Sequence, residues 1–327
     1  MKQTLLILVL SVILWPAHAQ QAVYLSGKVK NAHPTTPIYI TLGGVLELLS
    51  ISEAGAFSLQ ATVQQLPAVF YFGTVSKKKR LEWQTAGIWF DQDTVEIEID
   101  WLDKAIQKYD PVPFQPLSEK MEKFADQKQM EFILKHPDQL PAVYFVEREK
   151  KSLSVADLDS FLQKISPEHK TSIYAKRIEQ YVAARKRSPA KIGHVLEDFS
   201  LPDKAGNQVS VIQQNGKPKL ITFFSSGCLH SIARIAVVEA FARKNSDKVE
   251  IVTLWTDRNK AAWLTEHAAE KSKMYWPSLR DEYGFASTYF NNTGTPTFYV
   301  IDREGKLIDV FRDFNQKAVN RVLSMIE

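Results

Sequence analysis

A buried-strand signal that runs straight into a turn, a lone cysteine and a helix leaves few folds open to this 327-residue chain. Leu220, Ile221, Thr222, Phe223 and Phe224 form a β-branched and aromatic run, the pattern of a strand covered on both faces. Ser225-Ser226-Gly227 then supplies small, turn-prone residues, and Cys228 follows. Beyond it Ile232, Ile235, Val237, Val238 and Phe241 spread apolar side chains around most of a helical circumference, as in a helix packed on a sheet. Cys228 therefore falls at a strand-to-helix junction. The partial positive charge and free N–H groups of a helix start favour thiolate over thiol, lowering the pKa from its ordinary value of about 8.5.

Downstream, Val249 to Trp255 reads as a second buried strand ending at Thr256-Asp257, and Arg258 to Lys271 as a helix after it. Strands alternating with helices predict a βαβ unit with parallel pairing. Tyr299 to Asp302, Arg303-Glu304-Gly305-Lys306 and Leu307 to Arg312 predict a hairpin with glycine at its turn, followed by a C-terminal helix.

From Ile192 to Glu327 the chain resembles thioredoxin-like proteins of the TlpA/ResA type, whose pattern is an aromatic strand, then Trp-Cys-x-x-Cys, then a helix. Gly294-Thr295-Pro296-Thr297-Phe298 resembles the family's Thr-(cis-Pro) loop beside the reactive cysteine. Phe199 to Gly206 is similar to its opening hairpin. The resemblance implies a thioredoxin-like fold and thiol-disulfide chemistry, with Thr295 and Pro296 presenting a backbone edge to a bound peptide. Three positions depart from the pattern: Gly227 stands where the Trp is expected, Ser231 where the second cysteine is, and Arg234 where many members carry Glu.

Those departures bear directly on mechanism. In a Cys-x-x-Cys pair the second thiol resolves the mixed disulfide formed by the first, and a serine has no sulfur with which to do so. Cys228 with Ser231 is thus expected to act as a monothiol released by an outside thiol or by the substrate's own second cysteine. His230, if protonated, and Arg234, if turned back toward the sulfur, would both stabilise the thiolate. The same substitutions are equally compatible with a redox-silent module that binds peptides or partner proteins, His230 and Arg234 then being surface groups. A peroxiredoxin-like Pro-x-x-x-Thr-x-x-Cys loop would need proline and threonine where Ile221 and Ser225 stand. Cys228 and His230 are only two metal ligands, so no metal and no cofactor is assigned.

Before this region the chain changes character twice. Met1-Lys2, the apolar Leu5 to Trp15 and Ala17-His18-Ala19 read as a secretory signal cut after Ala19, shorter than the roughly 20 apolar residues of a membrane span. No cysteine near that cut is available for acylation, and no later apolar run approaches a span. Export to the periplasm or beyond would place a single cysteine, incapable of an internal disulfide, in an oxidising compartment. Residues 20–110 carry recurring strand signals punctuated by Gly43-Gly44 and Ala54-Gly55, predicting a small antiparallel β-sandwich. This half resembles the β-domain that often precedes TlpA-type domains, notably at Glu53-Ala54-Gly55-Ala56-Phe57. Lys77-Lys78-Lys79-Arg80 reads as a solvated hairpin tip.

Pro111, Pro113 and Pro116 mark a boundary, since proline interrupts regular structure. Residues 111–190 then turn helical, with a capping-box-like Ser154 to Asp157 and with Ile178, Tyr181 and Val182 at helical spacing. They read as a connector to the 191–327 domain. A formal charge of +4 with interspersed acids points to neither nucleic acid nor a membrane surface as partner. The partners expected are disulfide-bearing proteins or a redox protein. The sequence leaves the oligomeric state open.

Overall fold

The computed structural model describes residues 21–326 apart from 33–35, 43–44, 76–80, 104, 124–125, 214, 259 and 265–273. The signal segment, the Gly43-Gly44 turn, the Lys77 to Arg80 run and the distal part of the helix expected up to Lys271 lie outside the described residues. The chain divides into two compact units, residues 1–85 with 89–110, and residues 86–88 with 111–327.

The first unit is built from strands β1 (Gln21–Lys30), β2 (Tyr39–Leu42), β3 (Val45–Leu48), β4 (Ala56–Val63), β5 (Ala68–Val75), β6 (Leu81–Gln84), β7 (Ile88–Phe90), β8 (Thr94–Asp100) and β9 (Ala105–Lys108). One sheet runs β4-β1-β8-β9, and the other β3-β2-β5-β6 with β7 also paired to β5. The alternation of Thr94 to Asp100 fits this arrangement, for Val95, Ile97 and Ile99 are buried while Thr94 and Glu96 face water. Phe57 on β4 meets Phe72 on β5 edge-on with centroids 5.7 Å apart, joining the two sheets through the core. β1 runs antiparallel to β4 and parallel to β8, while β2–β3, β2–β5, β5–β6 and β8–β9 pair antiparallel. Gly55 closes the turn before β4 at φ +82°, and a Cβ there would lie 2.3 Å from the Val29 carbonyl oxygen, so only glycine fits.

The second unit begins with helices α1 (Gln115–Lys123), α2 (Asp126–Ile133), α3 (Leu140–Glu149), α4 (Val155–Lys164), α5 (Pro167–Lys170) and α6 (Ile173–Lys186). Ser154 caps α4 by accepting from the Asp157 N–H at 3.1 Å, and Ser172 caps α6 through Ala175. Ile178, Tyr181 and Val182 are buried, as their spacing predicts.

There follow β10 (Ser200–Pro202), β11 (Gln208–Ser210), β12 (Lys219–Phe224), α7 (Leu229–Asn245), β13 (Glu250–Trp255), α8 (Lys260–Leu264), β14 (Ser278–Arg280), α9 (Phe285–Tyr289), β15 (Thr297–Ile301), β16 (Leu307–Phe311) and α10 (Gln316–Ile326). The central sheet has the order β14-β13-β12-β15-β16. Strands β12, β13 and β14 are parallel, and β15 and β16 run antiparallel to their neighbours. With helices on both faces this is a thioredoxin-like fold.

Strand alternation divides the core between the two faces. Ile221 and Phe223 pack with Leu254, Phe285, Tyr289 and Phe290, whereas Leu220 and Phe224 pack with Ile235, Val238, Phe298 and Phe314 on the other side. Ala184, near the end of α6, belongs to the first of these clusters. The guanidinium of Arg187 lies 5.1 Å from the Phe285 ring centroid, and the Ala190 N–H reaches the Tyr289 carbonyl at 3.3 Å. The helical stretch is thus physically continuous with the sheet domain. No helix among the described residues is long and apolar enough to cross a membrane.

Candidate functional site

Strand β12 is buried along its whole length, and it delivers the chain to the C-terminal edge of the sheet, where Ser225-Ser226-Gly227 turns into α7. Cys228 is the N-cap of that helix, in extended conformation at φ −105° and ψ 107°. Its N–H bonds back to the Ser225 carbonyl at 3.1 Å, and its carbonyl accepts the first helical bond, from Ile232, at 3.1 Å. These bonds keep the half-buried sulfur at the helix mouth.

Three groups surround the sulfur. The Thr295 carbonyl accepts from the thiol at 3.3 Å. Its neighbour Pro296 is buried and follows a cis peptide bond. Ser231, one turn into α7 and fully buried, directs its hydroxyl to the sulfur while accepting from the Ser225 N–H at 3.3 Å. Partial burial opposes charge on Cys228, but the Ser231 hydroxyl and N–H, the Thr295 side chain and the His230 N–H outweigh it and hold the thiol below its ordinary pKa. The direction is the one expected for a thiolate at a helix start.

The other two sequence candidates are placed differently. His230 is exposed on the first turn, and what reaches the sulfur is its backbone N–H. The Nε of Arg234 lies 2.6 Å from Asp313 Oδ1, so its charge is engaged by the segment before α10 and not turned toward Cys228. Leu229, next to the cysteine, is 84 % exposed.

Asp257 joins the site although no sequence motif marks it. The Ser226 N–H lies 3.1 Å from both its carboxylate oxygens, the Ser226 hydroxyl donates at 2.6 Å and the Ser225 hydroxyl at 3.4 Å. Burial pushes its pKa up, and the serine hydrogen bonds pull against that. The signal that locates it is register. Phe224 pairs with Trp255, so the residues following the two parallel strands meet beyond the sheet edge, and the Thr256 N–H bonds to the Phe224 carbonyl at 2.9 Å.

The Thr295 loop has its own supports. Thr297 Oγ1 donates to the Gly294 carbonyl at 2.5 Å, and Arg312 Nη2 to Thr293 Oγ1 at 2.5 Å. A Cβ at Gly294 would meet Arg312 Nη1 at 2.8 Å.

This segment has a recognisable relationship to known proteins. Residues 191–326 match the Redoxin family. The thioredoxin-like protein YneN of Bacillus subtilis (strain 168) is 26 % identical over 119 residues, spanning 36 % of this chain and 69 % of the relative. Peroxiredoxin Bcp of Escherichia coli (strain K12) is 27 % identical over 148 residues, 39 % of this chain and 88 % of the relative. Among solved structures, the thioredoxin domain of a thiol-disulfide oxidoreductase from Bacteroides vulgatus aligns with 42 % of this chain and 99 % of its own, at 23 % identity and TM-score 0.38. A putative thiol:disulfide interchange protein DsbE from Chlorobium tepidum aligns with 42 % and 96 %, at 20 % identity and TM-score 0.38. The family match thus falls on the segment that carries Cys228, and the relatives bear thioredoxin-like and peroxiredoxin names.

Proposed function

We propose that the chain is an exported monothiol thiol-disulfide oxidoreductase acting on protein disulfides. The observation that carries this reading is the setting of Cys228, at the N-cap of a helix with its pKa lowered by Ser231, the Thr295 side chain and the first-turn N–H groups. The Cys228 thiolate attacks one sulfur of a substrate disulfide. A new S–S bond joins Cys228 to that sulfur, and the other substrate sulfur leaves as thiolate. The Ser231 hydroxyl, which stabilises the Cys228 thiolate beforehand, has no sulfur with which to break the mixed disulfide. Release therefore takes another thiol, either a small external one or a further cysteine of the substrate, whose thiolate attacks the substrate sulfur and returns Cys228 as thiolate. With an external thiol the substrate sulfur is left in a mixed disulfide with it, and a second equivalent of that thiol completes the reduction and leaves as the external disulfide; with a further cysteine of the substrate the new S–S bond lies within the substrate, which is isomerised. Thr295 and Pro296 lie where the peptide flanking the disulfide would rest. The leading segment, cut after Ala19, is proposed to send the chain to the periplasm or outside the cell.

A second reading, peptide binding without turnover, draws on Leu229, which exposes 84 % of its surface beside the sulfur. One experiment separates the two. Refolding of a scrambled disulfide protein is followed with glutathione present, using the wild type and Cys228→Ser, and mixed disulfides are trapped by acid quench and mass spectrometry. Exchange and a Cys228-linked adduct in the wild type alone are expected. Full exchange activity in Cys228→Ser sinks the oxidoreductase reading, and substrate binding without any adduct moves the assignment to the binding module.

A further inference from the structure

We infer that Asp257 is a positioning residue for Cys228: its carboxylate, on the neighbouring strand's end, clamps the Ser225-Ser226 turn and thereby aims the α7 N–H groups and Ser231 at the sulfur. This rests on the reading of Cys228 as the reactive group, and extends it to a residue that touches neither sulfur nor substrate.

The geometry is a ring of hydrogen bonds closed through Ser225. Its hydroxyl donates to Asp257 at 3.4 Å, its N–H donates to Ser231 Oγ at 3.3 Å, and its carbonyl accepts from the Cys228 N–H at 3.1 Å. Ser226 adds the stronger attachment, with the N–H 3.1 Å from each Asp257 oxygen and the hydroxyl at 2.6 Å. Three residues of small side chain, one of them Gly227, would otherwise leave this turn loosely held, because little apolar surface fixes it. Asp257 exposes only 8 % of its surface. Keeping a carboxylate there costs free energy unless its hydrogen bonds are made, and the bonds that satisfy it come from the turn before the cysteine. The guanidinium of Arg258, next in the chain, faces Glu147 at 4.0 Å.

Positioning and direct electrostatics predict opposite signs. A carboxylate acting on the thiolate through space would repel it, so removing the charge would lower the thiol pKa. A carboxylate acting as a clamp would, when removed, release the donors aimed at the sulfur and raise the thiol pKa.

The test uses the full mature chain and two readouts, the pH profile of iodoacetamide labelling at Cys228 and amide hydrogen exchange at Ser226 and Cys228, for wild type, Asp257→Asn and Ser226→Ala. In Asp257→Asn the labelling profile is expected to move to higher pH. Labelling below the wild-type pKa then slows about tenfold for each pH unit the profile moves, and both amides lose protection while the interior of α7 stays protected. Ser226→Ala, which keeps the charge and removes one contact, is expected to move the profile in the same direction by less. A profile in Asp257→Asn that is unchanged or moves downward overturns the proposal. Should Asp257→Asn not fold, Ser226→Ala decides by the same criteria. If wild-type Cys228 labels like the unfolded chain while the variants still lose amide protection, the oxidoreductase reading fails and the clamp stands. A reactive wild type with unchanged variants gives the reverse.

Discussion

Two buried aspartates in the second unit solve the same problem in two places. Asp281 accepts from the Ala286 N–H at 3.0 Å, from the Ser287 N–H at 2.7 Å and from the Ser287 hydroxyl at 2.6 Å. Asp257 accepts from the N–H and hydroxyl of Ser226 in the same manner. Burial pushes both carboxyls up, and serine bonds oppose it in both. The difference lies in what each one holds. Asp281 secures the start of α9, whose Phe285 and Tyr289 belong to the core, whereas Asp257 secures a turn that leads to a half-buried thiol. Identical local chemistry therefore serves stability at one site and, if Cys228 is the reactive group, reactivity at the other.

Asp281→Asn puts this contrast at greatest risk, since it turns an amide NH2 toward buried N–H donors. It is expected to destabilise the protein by about 2–3 kcal/mol, the scale of a buried charge-assisted bond lost, in denaturant unfolding. The labelling profile of Cys228 should stay in place. A displaced profile would show that the two sites are not independent. Asp257→Asn should cost less stability, about 1–2 kcal/mol, because its turn is only partly buried, while altering labelling.

pH dependence supplies the next test. An acid whose folded pKa is raised binds more protons folded than unfolded, so stability declines as pH climbs from the unfolded value of about 3.9 through the folded one, and levels off above it. Asp257 and Asp281 both contribute in this sense, so each Asn variant should flatten the decline, measured by thermal unfolding across acidic pH. An unflattened curve would show that other groups dominate.

Ser231→Ala removes one donor to the sulfur and the acceptor for Ser225. A net hydrogen bond of about 1 kcal/mol corresponds to a labelling profile displaced upward by somewhat less than about one pH unit. The smallest effect is expected for Gly294→Ala, which displaces only the flexible end of Arg312 and should leave the thiol profile unchanged. A large change there would bring the Thr295 loop into the same network as Asp257.

What could be read in advance was local. The strand, turn and helix around Cys228 lie within a short stretch of contiguous residues, and the Ser154 to Asp157 cap spans a single turn. The hairpin at Gly305, with φ +80°, declares itself by its turn residue. Asp257 was hidden because its partners lie 31 and 32 residues away and come within reach only through the β12–β13 register. Arg234 was legible as a charge but not as a direction, since its partner Asp313 lies 79 residues further on. The parallel contact of β1 with β8 was hidden for the same reason, since alternation in Thr94 to Ile99 marks a strand and says nothing about its neighbour.

The placement of Ala184 and Arg187 against Phe285 and its neighbours has a practical consequence for anyone who recombines such proteins. The stretch that matches the Redoxin family begins at residue 191, yet the hydrophobic cluster beneath the sheet already includes a side chain from α6. A chimera spliced at that boundary would keep α9 on the cluster but strip away what α6 adds to it. A graft that carries the helices from Pro111 onward would transplant a closed core.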